Sequence, residues 1–266
     1  KMKLTDFQIV NGCQTSHILF SNRKELLDDT QIVLKVIETI DLDVTNKIIR
    51  ATNRQTEVKD EAFESLKPFH KDLQEYYKAK SKEIYKPIYY ERRSKEFLNV
   101  PNIKSNQIIT LASQIKAYVA TQLQQPQSTH RYFGELLDSN KNKLFKNKTE
   151  LSNYYLSALI VNRLDSYFKK PNVIPYKPFK YQIALLVYRS LKNKKSKTFG
   201  VNEMINYCSE SQKINSDIKN CIDILKQELE TTKIDRNHAI RSKDFTNKII
   251  SRQNEMYLSK QGKVSK

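Results

Sequence analysis

The sequence predicts an α+β fold, with a small mixed α/β part near the N-terminus followed by a mainly α-helical region. Runs rich in Ile and Val that read as strands occur only in the first hundred or so residues. After Ser105, apolar residues recur every three to four positions, the period of an amphipathic helix. Four glycines in 266 residues disfavour a Gly-rich sandwich or a Rossmann-type turn. The expected divisions are residues 1–104 (mixed), 105–191 (helical) and 198–266 (a small C-terminal helical cap), joined by a polar linker at Lys192–Lys197 that carries four lysines.

In chain order, Phe7–Val10 reads as a short apolar strand running into Asn11-Gly12, a pair that permits a left-handed turn. Thr15 and Ser16 can then cap an apolar helix. This strand–turn–helix points free backbone N–H groups at the positive end of a helix dipole, a geometry that favours a phosphate. Gln14, Thr15 and Ser16 would add donors; the same residues also suit an ordinary junction between a strand and a helix. Gln31–Ile40 reads as a buried strand, and Asp41–Asp43 turn the chain. Asp43 or Thr45 can cap a helix carrying Ile48, Ile49 and Ala51, which delivers Asn53, Arg54 and Gln55 to its C-terminal end. There Arg54 can meet an anion, or Asn53 can simply close the helix beside a solvated cation. A further helix runs from Asp60 through Phe63, Leu66, Phe69 (or His70), Leu73 and Tyr77, despite Pro68.

Next comes a basic, aromatic segment. Lys78, Lys80, Lys82, Lys86, Arg92, Arg93 and Lys95 stand against Glu83 and Glu91, with Tyr76, Tyr77, Tyr85, Tyr89 and Tyr90 interleaved. Cations match backbone phosphates and tyrosines can stack on bases, which makes this the best nucleic-acid candidate in the chain. The alternative is a Lys-rich helix end and a strand, Ile88–Glu91, whose tyrosines are core. From Ser105, read as an N-cap, one helix carries Ile108, Leu111, Ala112, Ile115, Tyr118, Val119 and Leu123, and stops before Pro126. Another occupies 149–168, and after the loop at Pro171, Pro175 and Pro178 a third carries Ile183, Leu186 and Val187.

A net charge of +18 makes a polyanion the default partner, even after discounting the Lys that AT-rich coding accumulates. Three cysteines (Cys13, Cys208, Cys221) without Cys-x-x-Cys spacing speak against a disulfide framework or zinc ribbon and fit a reducing cytoplasm. No apolar run has the length of a membrane span, so no membrane is expected. Phe7–Val10 is too little sheet for a nucleotide site so near Lys1, from which we expect a missing N-terminal region of the same protein. No Walker loop, His-Glu-x-x-His or Gly-x-Ser-x-Gly occurs, and four scattered histidines offer no metal site. Cys13 and His17 are spaced as a nucleophile pair or as a coincidence on one helix start. A metal-dependent nuclease would need two or three of Asp6, Glu57, Asp60 and Glu91 to converge near a lysine, such as Asp60 or Glu91 with Lys59.

Ile9–Ser16 (Ile-Val-Asn-Gly-Cys-Gln-Thr-Ser), Ala51–Thr56 and Tyr89–Arg93, in that order, resemble the AIPR family, the abortive-infection phage-resistance proteins. The likeness extends over about residues 5 to 190, through Gln125-Pro126-Gln127 and the Tyr181-Gln182-Ile183 helix. It implies a bacterial phage-defence protein with defence-operon partners. The Asn-Gly-x-Gln-Thr turn is also similar to phosphate-binding turns of the ParB/sulfiredoxin-like superfamily, which implies an incomplete sheet of that kind; where those turns carry a basic residue, this one has Gln14-Thr15. The leading expectation is a nucleic-acid-binding module in which Asn11, Gly12, Gln14, Thr15 and Ser16 meet Asn53, Arg54, Gln55, Glu91, Arg92 and Arg93 in one cleft, taking a nucleotide with Mg²⁺. A ParB-like nucleotide hydrolase, a metal-dependent nuclease and a non-enzymatic assembly subunit are the alternatives.

Overall fold

A computed structural model describes residues 13–27, 29–39, 64–146, 151–194 and 200–262. The chain divides into two units, residues 1–60 and 61–266. It is mainly helical with a small two-stranded parallel sheet, as the α+β expectation has it.

In the first unit, α1 (Cys13–Ser21) ends where the Asn22 side chain donates to the Ile18 carbonyl at 2.9 Å. Residues 31–39 hold no regular secondary structure, and Val33 and Leu34 are exposed, so the buried strand expected at Gln31–Ile40 is not formed over these described residues; Ile40 lies outside them. Ile/Val content favours a strand only where a neighbour satisfies its backbone groups, and no strand pairs with this stretch among the described residues. Phe7–Val10, the Asn11-Gly12 turn and the helix leading to Asn53–Gln55 lie outside the described residues.

In the second unit, α2 (Pro68–Lys80) buries Phe69, His70, Leu73 and Tyr77. Glu64 and Ser65 before it are also helical, and a turn at Leu66-Lys67 interrupts the expected continuous helix, because proline suits the first helical position and disrupts later ones; Leu66, expected on the buried face, is exposed, and Asp60 and Phe63 lie outside the described residues. A turn leads into β1 (Tyr89–Glu91), which pairs in parallel with β2 (Ile108–Thr110) in the register Tyr89–Ile108, Tyr90–Ile109 and Glu91–Thr110. β2 stands where a helix was expected to begin. The β-branched run Ile108-Ile109-Thr110 prefers extended backbone, and Thr110, not Ser105, caps α3 (Leu111–Thr121) by accepting from the Ser113 N–H at 3.2 Å.

Next follow α4 (Phe133–Asn140), α5 (Leu151–Tyr167), a 3₁₀ stretch at Pro171–Phe179 and α6 (Lys180–Lys192). α7 (Val201–Ser209), α8 (Ser211–Thr232), α9 (Arg236–Arg241) and α10 (Lys243–Gly262) close the chain. α5 is the central helix, packing against α2, α3, α6 and α7. It is buried nearly all round, from Tyr154 to Leu164, as a helix enclosed by others must be. Tyr154 stacks between Tyr118 and Phe145, and Phe69 meets it edge-on. On the outer layer, Arg252 Nε donates to Glu228 Oε2 at 2.6 Å and joins α10 to α8.

Candidate nucleic-acid interface

Because β1 and β2 are parallel, the segments that enter them, Tyr85–Ile88 and Lys104–Gln107, lie side by side at one edge. Gln107 Nε2 donates to the Pro87 carbonyl at 2.9 Å and ties the two together. Two consecutive residues of α5 grip this edge from below. Asn162 Nδ2 donates to the Asn106 carbonyl at 2.6 Å, and Arg163 donates from NH2 to the Lys86 carbonyl at 2.9 Å and to that of Tyr85 at 3.4 Å. Arg163 also donates to the Cys208 carbonyl (3.0 Å) and to Asn162 Oδ1 (2.9 Å), so its guanidinium is held by neutral acceptors; burial pulls its pKa below the ordinary value. The segment it fixes is strained. Lys86 has φ 55°, a left-handed conformation that costs a non-glycine residue about 1–2 kcal/mol, and Lys95 beyond β1 has φ 64°.

The other end of β1 carries Glu91, Arg92 and Arg93. Arg92 Nε donates to Gln74 Oε1 at 3.2 Å and NH1 to the Ser65 carbonyl at 3.3 Å. Gln74 in turn donates to Glu96 at 2.7 Å, and Glu96 accepts from the Arg93 N–H. Among the described residues Glu91 forms no ion pair with Arg92 or Arg93. Behind the strand, buried His70 joins Tyr90 and Glu64: Nδ1 lies 2.7 Å from the Tyr90 hydroxyl and Nε2 3.3 Å from Glu64 Oε1.

Of the expected interface residues, Lys78, Lys82, Lys86, Arg93 and Lys95 are exposed cations. Lys80 is engaged, with Nζ 2.8 Å from Glu83 and over the Tyr76 ring. Tyr90 and Tyr77 are 1% exposed and belong to the core, while Tyr89 packs against Phe97 and Tyr85 is open to solvent. β1, about 10 Å long, separates the cations into two groups, Lys78–Lys86 before it and Arg92–Lys95 after it. The Lys86 and Lys95 geometry, and the roles of Gln74, Glu96, Gln107 and Arg163, are not evident from the sequence pattern. Arg163 is four positions after Leu159 on α5, a spacing that places it on a buried face.

In the first unit, Thr15 is exposed on α1 and Ser16 half-buried, and His17 faces Ser21 Oγ at 3.5 Å; Asn11, Gly12, Asn53, Arg54 and Gln55, and the Gln14 and Cys13 side chains, lie outside the described residues. Among the described residues no three His, Cys, Asp or Glu side chains gather as a metal site, and no helix is long and apolar enough to cross a membrane. Charge divides unevenly between the units. Residues 1–60 hold nine Lys/Arg and nine Asp/Glu, so the entire +18 falls to residues 61–266.

The family model described as AIPR protein matches residues 1–237, reaching into the start of α9. The chain belongs to the AIPR family. AIPR membership points to abortive-infection phage resistance. No curated protein and no solved structure matches the chain.

Proposed function

We propose that this AIPR protein serves phage defence by binding nucleic acid through its second unit, with Lys78, Lys82, Lys86, Arg93 and Lys95 meeting backbone phosphates. The observation that carries this reading is the charge partition. A compositional bias would spread lysine over the whole chain, yet the first 60 residues are neutral and the excess lies in residues 61–266. Lys86 supports it further, being exposed on a backbone segment that Arg163 and Gln107 hold. With Tyr77 and Tyr90 in the core, contact is made mainly to phosphates, and the exposed Tyr85 can add only the sequence-tolerant stacking that any base accepts.

Replacing Lys78, Lys82, Arg93 and Lys95 with Ala tests this, since none of these side chains is buried. Affinity for unrelated sequences should fall by similar factors, and the slope of log K against log salt should flatten by about 0.7–0.9 for each phosphate no longer neutralised. Unchanged affinity at low salt would refute the reading.

A further inference from the structure

A recess opens beside the edge where the two strands begin. It is a cavity of about 320 Å³ between the Ser105–Ser113 segment, α3, α5, the 3₁₀ stretch and the first turn of α6. Its floor is apolar. Ile109 and Val161 line it, and the small side chains of Ala117 and Ala158, each 1% exposed, leave the space that larger residues would fill.

The rim has the opposite character. Lys180 Nζ lies 3.0 and 3.2 Å from the two oxygens of Asp165, which balances its charge. Lys177 is exposed and makes no ion pair among the described residues, so the rim keeps one uncompensated cation. Tyr181 is half-buried, and neither its hydroxyl nor the Asn106 side-chain amide makes a hydrogen bond among the described residues. An apolar floor with a few convergent polar groups and one spare positive charge is the lining of a small-molecule site, and the volume stands at the low end of the range of about 300–1,000 Å³ for such sites.

We propose that this cavity binds one nucleoside monophosphate unit, its base on the Ile109–Ala117–Ala158–Val161 floor and its phosphate against Lys177, the Tyr181 hydroxyl and the Asn106 amide. A flat ring matches an apolar wall made by small residues, and a phosphate matches the unpaired cation and the free donors. A ligand without charge would leave Lys177 unanswered, and inorganic phosphate would leave the floor wet. The unit can come from a free mononucleotide or from the 5′-phosphorylated end of a strand. The site is independent of the exposed cations of the proposed interface, which line none of it.

Titration calorimetry on the full chain decides the matter. The probes are the four ribonucleoside 5′-monophosphates, adenosine, inorganic phosphate, and a tetranucleotide with and without a 5′-phosphate. At least one mononucleotide or the 5′-phosphorylated tetranucleotide should bind with one-to-one stoichiometry, and adenosine and inorganic phosphate about tenfold or more weaker. Lys177→Glu, an exposed substitution with no ion pair to break, should weaken binding by about tenfold or more at an unchanged melting temperature, the scale of one charge-assisted hydrogen bond. Tyr181→Phe should weaken it by a smaller factor, and Lys219→Glu, at an exposed position of α8 outside the cavity lining and outside the proposed interface, should leave it unchanged. Binding of the mononucleotide alone identifies a free metabolite; binding of the 5′-phosphorylated tetranucleotide alone identifies a strand end. Failure of every nucleotide to saturate, phosphate binding as tightly as nucleotide, or indifference to Lys177→Glu would each overturn the proposal.

Discussion

At the scale of single residues, Glu64 shows how opposed forces settle one carboxyl. Burial alone would raise its pKa, but hydrogen bonds from His70 and Lys67, together with their charges, outweigh burial and hold it below its ordinary value of 4.5. Lys67 Nζ lies 2.5 Å from one oxygen and His70 Nε2 3.3 Å from the other. The ionised form is therefore favoured by folding. Its stabilisation is present above pH 4.5 and is lost as the pH falls through the lowered folded value. Glu64→Gln should destabilise at neutral pH by about 1.5–3 kcal/mol, the worth of hydrogen bonds to a charged group, and should flatten the acid limb of a urea-unfolding series. An acid limb identical to that of the unsubstituted protein would contradict this account.

Between elements, the decisive link is Arg163. It joins α5 to the Tyr85–Lys86 segment and to the Cys208 carbonyl at the end of α7, three parts of the chain brought together by one side chain. Arg163→Met keeps much of the volume but leaves those buried carbonyls unpaired, and should cost about 3 kcal/mol in chemical denaturation. A loss under about 1 kcal/mol would mean that water replaces the guanidinium. The helix stripe Leu151–Val161 was legible in the sequence because apolar residues recur at helical spacing over about three turns, and Ile183, Leu186 and Val187 were legible from the same three- and four-residue spacing over a shorter run. Ile88–Glu91 was legible as a strand, but β2 was not, since Ile108 also falls in phase with the helical stripe that follows it. Gln31–Ile40 misled for the converse reason: strand-forming side chains declare a propensity, and only a pairing partner makes a strand. Among the candidate cations, sequence identified the cluster but not which members are free. Lys80 and Arg92 are engaged by Glu83, Gln74 and the Ser65 carbonyl, interactions that folding creates over separations of 3 to 27 residues.

At the scale of the whole molecule, the chain pairs a neutral first unit with a second unit that carries all the net charge and the small parallel sheet. That partition makes the central claim local: nucleic acid should touch the second unit at the cations around β1. The most direct measurement is lysine footprinting, in which acetylation of the full chain is mapped with and without nucleic acid. Lys78, Lys82, Lys86 and Lys95 should lose reactivity in the complex, while Lys24 and Lys35, exposed in the first unit, should react as before. Protection spread equally over both sets, or absent from the four lysines around β1, would contradict the account.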